Sequence, residues 1–273
     1  MSKSLRIILL IFLILTPIIF YKSFHRRERK TEIVSHLPSV INTVIDKEAN
    51  LYRPKIALIF DDLGESLSDL KEIHSLNIPL TVSIIPGLKF SKNIGHIGLR
   101  CGFSVFIHLP LSPLDRKKYR TDKYRFIGSS LSKREINSLL RYYLNSIRIA
   151  IGVNNHMGSE MTEDAEFMRF ILKAIKRKGL IFIDSRTSLK SVAYKEAKQE
   201  DLVCGYNEGF LDSVDNVEAI EEKLQKLIDR AKEKGKIIII AHPKKNTFDI
   251  LRRKLPTIRK EVEFITIKDY FEL

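Results

Sequence analysis

From Lys55 to the C-terminus, short apolar runs alternate with longer amphipathic stretches, and this alternation constrains the fold more than any other feature of the chain. The runs are IALIF (56–60), LTVSII (80–85), FSVFI (103–107), IAIGV (149–153), LIFI (180–183), KIIIIA (236–241) and EFITI (263–267). Several are rich in β-branched residues and apolar throughout, as strands of a parallel sheet buried on both faces must be. Between them lie helix signals. Ser132 and Glu135 have the spacing of a capping box opening a helix that runs to about Ile147. Further helices are expected over 162–178, stopped by Gly179, and over 215–234, stopped by Gly235. Repeated β-α units of this kind predict a doubly wound sheet or a (β/α) barrel. No internal repeat is present. A polar segment over about 111–131 interrupts the pattern after the third run, and loops of that length are often functional.

The first 54 residues read differently. Residues 7–21 (IILLIFLILTPIIFY) carry no charge and follow Lys3 and Arg6, the basic and apolar order of a signal sequence. Small residues suited to cleavage are missing, and Lys22, Arg26 and Arg27 follow instead. The segment is therefore expected to be an uncleaved signal anchor (1–22), its flanking cations compensating for a span shorter than the usual ~20 residues. Residues 23–54 form a basic stalk, and 55–273 the domain. The cations after the anchor argue for a cytoplasmic domain. The envelope-type motifs described below argue the other way, so a single-pass cell-membrane protein with an extracytoplasmic, periplasmic domain is expected.

The formal net charge is +14. Its Lys and Arg residues are spread along the chain without a zinc-finger, basic-zipper or aromatic stacking motif, so a nucleic-acid partner is not expected. A basic surface suits anionic lipid or an acidic wall polymer. Cys101 and Cys204 form no C-x-x-C and are expected to be unpaired.

Ligands of parallel α/β folds bind at the carboxyl ends of the strands. Asp61-Asp62 follows the first run, His108 the third, Asn154-Asn155-His156 the fourth, Asp184-Ser185-Arg186 the fifth and His242 the run at 236–241. Each alone has an ordinary structural explanation, since Asp caps helices and Asn pairs make turns. Their coincidence at one edge points to a site. Aspartate and histidine suit a divalent metal, zinc foremost, held by three protein ligands with a fourth position open. Adjacent aspartates can divide the work, one as ligand and one as base, and a histidine opposite can protonate a leaving group. No G-x-S-x-G, H-E-x-x-H, Walker A or G-x-G-x-x-G motif is present.

In order along the chain, IALIFDDLG, TVSIIPG, HLPLSP, GVNNHMGSEMT, FIDSRTS, GFLD and AHPKKNT resemble the divergent, YibQ-like polysaccharide deacetylases, relatives of the NodB-type enzymes. The resemblance covers essentially all of 55–273. It implies a distorted (β/α) barrel of about seven parallel strands and a metal bound by one Asp and two His. Position by position, it implies Asp61 as catalytic base, Asp62 as metal ligand, His108 and His156 as the metal histidines, and His242 as the group assisting departure. It further implies Asn155, Asp184, Ser185, Arg186 and Asp212 as supporting or substrate-binding residues. Mainstream relatives carry both metal histidines in one H-x-x-x-H motif; no such pair exists here. The function expected is a metal-dependent hydrolase removing N- or O-acetyl groups from an envelope polysaccharide of peptidoglycan type. The alternatives are a non-catalytic glycan- or partner-binding module on the same fold, and a hydrolase of another bond such as a phosphoester.

Overall fold

The computed structural model describes residues 53–115, 117–119 and 121–273. The expected anchor, 1–22, and the stalk as far as residue 52 lie outside them. Among the described residues no helix is long and apolar enough to cross a membrane.

Eight parallel strands form one sheet: β1 (Lys55–Leu63), β2 (Thr81–Ile84), β3 (Ser104–Leu111), β4 (Gly152–Met157), β5 (Ile181–Asp184), β6 (Cys204–Tyr206), β7 (Lys236–Ala241) and β8 (Glu263–Ile265). Their order is β6-β5-β4-β3-β2-β1-β7, with β8 also paired to β1. The remaining gap between β6 and β7 is bridged by the segment after β6. Glu208 N donates to Ile238 O (2.8 Å), Ile240 N to Gly209 O (3.3 Å) and Leu211 N to Ile240 O (2.8 Å). The sheet thereby becomes a nearly closed barrel. β8 occupies the edge of β1 beside Lys55–Ala57, while β2 pairs with β1 from Ile59 onward.

Helices surround the barrel: α1 (Leu67–Ser75), α2 (Ser91–Arg100), α3 (Lys133–Ser146), α4 (Ala165–Arg177), α5 (Ala193–Gln199), α6 (Val217–Lys234), α7 (Lys245–Ile258) and α8 (Ile267–Tyr270). The Ser132–Glu135 capping box opens α3 as expected. The helix expected from 162 starts at Ala165 instead, because the Asp164 side chain accepts from Phe167 N and Met161–Glu163 forms a separate 3-10 turn. Asn216 caps α6 in the same way, and Gly235, at φ +79°, ends it.

Successive strand side chains point to opposite faces, and here each phase finds its own apolar partners. Ala57, Ile59, Phe106, Ile181, Ile183, Ile238 and Ile240 cluster with Ile265 and Ile267 inside the barrel. Ile56, Leu58, Phe60, Ile237 and Ile239 belong to the separate, larger core under the helices. Burying each such side chain stabilises the fold by roughly 1.5–3 kcal/mol. Three strands differ from expectation, β8 among them, which ends at Ile265 because Thr266 caps α8. β6 is a strand of three residues with no continuous apolar run. β4 begins at Gly152 rather than 149, and runs through Asn154, Asn155 and His156. Cys101 and Cys204 are free thiols, as expected.

Candidate metal centre

The inward phase of six strands turns polar at or just past the carboxyl end. The series 57, 59 ends in Asp61; 81 ends in Ser83; 106 in His108; 152 in Asn154 and then His156; 181, 183 in Ser185; 238, 240 in His242. Register aligns His108 with Asn154 and Pro110 with His156, so the two histidines are diagonal neighbours on adjacent strands, their rings 4.8 Å apart. Asp62 has the wrong phase and reaches the mouth by another route. Its backbone turns left-handed, φ +62°, where the β1–β2 register slips between Phe60 and Leu63. Such bulges re-aim a side chain, and here one brings two consecutive carboxylates to one site.

Asp62 Oδ1 lies 3.1 Å from His108 Nε2 and 2.8 Å from His156 Nδ1. No hydrogen bond satisfies this buried oxygen. One ligand atom from each of Asp62, His108 and His156 falls within 4.8 Å of the others, a group able to hold a metal ion. One carboxylate and two imidazoles form a ligand set for a catalytic divalent ion with room for a further ligand. Burial alone would raise the Asp62 carboxyl, but the imidazoles beside it hold it well below the usual carboxylate range. Burial lowers the pKa of His156, favouring the neutral ring that a ligand must be. At His108 burial is outweighed by Asp61 and Asp62, and the pKa rises.

Asp61 stands behind this group, 3.5 Å from His108 Nε2 and 1% exposed. Asn154 Nδ2 donates to both its oxygens, at 2.9 and 3.0 Å. Burial pushes the Asp61 carboxyl up by more than His108 and His242 pull it down. The Asn154 Oδ1 accepts from Ser83 Oγ and faces His108 Nδ1 at 3.0 Å, leaving His108 Nε2 for the cluster. Across the mouth, Asp212 Oδ1 lies 2.8 Å from His242 Nδ1, while Asp212 Oδ2 accepts from His242 N and Thr247 Oγ1. His242 Nε2 thereby faces Asp62 Oδ2, at 4.0 Å. Burial works against the imidazolium of His242, but the Asp212 hydrogen bond and the Asp62 charge outweigh it and raise the pKa.

The structure thus brings Asp61, Asp62, His108, His156, His242 and Asp212 together. Ser185 touches the site through its Oγ, 3.2 Å from Asn154 Nδ2. Asn155 has the outward phase and holds a loop instead: Ser185 N donates to its Oδ1, and its Nδ2 donates to Met157 O. Asp184 also faces away from the barrel interior. It accepts from Arg186 N, Ser191 Oγ and Tyr194 N, and so shapes the turn after β5. The Arg186 guanidinium lies over the Tyr206 ring, 3.7 Å from its centroid, and not in the cluster. Asn154 was placed at the site edge without a role, and Tyr124 was not among the expected site residues. Tyr124 Oη lies 2.8 Å from His156 Nε2, and burial, with the Asp62 charge next, pushes its pKa up to about 12. The length of the 111–131 segment was its only signal in the sequence.

Comparison with known proteins gives the chain's relatives. The sequence is 29% identical over 226 residues to an uncharacterized protein of Haemophilus influenzae (strain Rd), covering 83% of this chain and 80% of that one. It is 26% identical over 211 residues to the uncharacterized protein YibQ of Escherichia coli K12, covering 77% of this chain and 65%, under two thirds, of YibQ. An uncharacterized Agrobacterium tumefaciens protein of known structure shares the fold, with a TM-score of 0.72 at 18% identity over 81% of this chain and 94% of that one. The sequence model of the family described as divergent polysaccharide deacetylase matches residues 58–271, and the chain belongs to that family.

Proposed function

We propose that this domain is a metal-dependent hydrolase that removes acetyl groups from an envelope polysaccharide. The observation that carries the reading is the convergence of Asp62, His108 and His156 on one point, with Asp61 and His242 beside them. Asp62, His108 and His156 would hold a divalent ion, zinc in this reading, which would supply Lewis acidity to polarise a carbonyl and acidify water. Asp61, buried beside His108, takes a proton from the attacking water. The water oxygen bonds to the acetyl carbon. His242 gives its Nε2 proton to the departing nitrogen or oxygen as the C–N or C–O bond breaks, leaving acetate and a free amine or hydroxyl. Asp212 keeps the proton of Nδ1 in place and turns Nε2 toward the reacting atoms. The family supports a polysaccharide substrate. In this reading the N-terminal apolar segment holds the domain at the membrane, facing the envelope.

The test is metal content together with acetate release from chitooligosaccharides and peptidoglycan. Asp62→Ala is expected to lose the metal, and Asp61→Asn to keep it while losing about 10²–10⁴ of the rate. Purified protein without metal, and acetate release unchanged in both variants, would sink the proposal.

A further inference from the structure

The two histidines of the cluster do not present the same nitrogen. His108 points Nε2 at Asp62 and keeps Nδ1 on Asn154. His156 points Nδ1 at Asp62 and keeps Nε2 on Tyr124. An imidazole ligand must be unprotonated at the donor nitrogen, so its proton sits on the other one and needs an acceptor.

We infer that His156 takes a metal ion through Nδ1, and that Tyr124 is the positioning residue that fixes this choice by accepting the Nε2 proton. The inference rests on the hydrolase reading above and concerns the same site. Three contacts hold the His156 ring. Tyr124 Oη is 2.8 Å from Nε2, the Tyr124 ring meets the imidazole edge-on at 5.4 Å, and Phe126 stacks parallel to it at 6.1 Å and 5°. Tyr124 itself is held on both flanks. Tyr143 Oη accepts from Arg125 N (3.1 Å) and donates to Arg125 O (2.7 Å). Ile127 N donates to Pro110 O at 2.9 Å, fastening the segment to the end of β3. Lys123 pairs with Glu65, 3.2 Å away in the loop after β1. The loop that follows β3 therefore sets the orientation of a proposed ligand on β4.

The full-length protein is titrated with Zn²⁺ against a chromophoric chelator, and long-range ¹⁵N–¹H spectra of its histidines are recorded with and without the ion. The expected spectrum shows His156 metallated at Nδ1 and protonated at Nε2, and His108 the reverse. Tyr124→Phe, which keeps the ring, is expected to bind Zn²⁺ about 10–100-fold more weakly, the usual effect of losing such a partner. The inference is overturned if His156 is metallated at Nε2, or if Tyr124→Phe binds as tightly as wild type. Either result, with wild-type binding that Asp62→Ala abolishes, leaves the hydrolase reading standing. Wild-type protein that binds no Zn²⁺ overturns both. The wild-type spectrum decides the matter even if the variant fails to fold.

Discussion

Asn154 Nδ2 donates to both carboxylate oxygens of Asp61, at 2.9 and 3.0 Å, from a side chain with no solvent exposure. The same amide faces His108 through Oδ1. One buried side chain therefore sets the orientation of the proposed base and of a proposed metal ligand at once.

Two substitutions separate these roles. Asn154→Ala leaves buried groups of Asp61, His108 and Ser83 without their partner. Each orphaned group costs roughly 1–3 kcal/mol, and urea denaturation should show a loss of at least that size. Asn154→Asp keeps an acceptor for His108 but places a second carboxyl against Asp61. Like charges there raise one of the two pKa values strongly. Acetate release is expected to fall at least ~10²-fold near neutral pH while zinc is retained, as steady-state kinetics and metal analysis would show. Retained activity in Asn154→Asp would exclude Asp61 as the base.

Metal binding should appear as stabilisation. A ligand that binds only the folded state adds about 2.7 kcal/mol at 100 times its Kd. In a domain of this size each kcal/mol moves Tm by roughly 2–4 °C. Zn²⁺ is expected to raise Tm accordingly in wild type and not in Asp62→Ala, as differential scanning calorimetry would report. An equal rise in both would place the ion elsewhere.

The barrel interior makes its own prediction. A Cβ added at Gly152 would lie 2.2–2.6 Å from Phe106 ring atoms. Phe106 is fully buried among Ile59, Ile183, Ile238 and Ile240 and has little room to retreat. Gly152→Ala should cost roughly 1–3 kcal/mol, read as a lower urea midpoint at unchanged m-value. An unchanged midpoint would mean that the interior repacks freely.

What was legible in the sequence follows from what each strand faces. Apolar runs marked β1, β2, β3, β5 and β7 because both faces of those strands are buried in apolar surroundings. β4 was placed too early because its carboxyl half, Asn154-Asn155-His156, faces a polar site and reads as a turn. β6 was missed because only Cys204, Gly205 and Tyr206 belong to it, too few to show any period. Candidate residues at strand ends could be picked out by position. Asn154 was passed over for its neighbour Asn155, a distinction that depends on strand phase and hence on the true start of β4. In place of an H-x-x-x-H motif, the structure sets His108 and His156 side by side as diagonal neighbours on β3 and β4. That pairing depends on register between strands and leaves no local spacing to read.

The Asp212–His242 pair yields a prediction in pH. Burial would raise the Asp212 carboxyl, but the hydrogen bonds from His242 and Thr247 outweigh it and lower the value from 3.8. Its contribution to stability is therefore present above 3.8 and lost as pH falls through the lower, folded value. The His242 pKa is raised above 6.5, so its contribution is complete below 6.5 and lost as pH rises through the higher, folded value. The two limits enclose a window in which the aspartate is charged and the imidazole protonated. A double-mutant cycle of Asp212→Asn and His242→Gln, run by chemical denaturation in chelator, should give a coupling energy that is flat across that window. Its size should be about 1.5–3 kcal/mol, as for hydrogen bonds to charged groups. It should decline above pH 6.5 and again below 3.8. Coupling that stays constant to pH 9 would show that Asp212 does not raise the His242 pKa, and would remove the support that Asp212 lends to His242 as the acid of the proposed reaction.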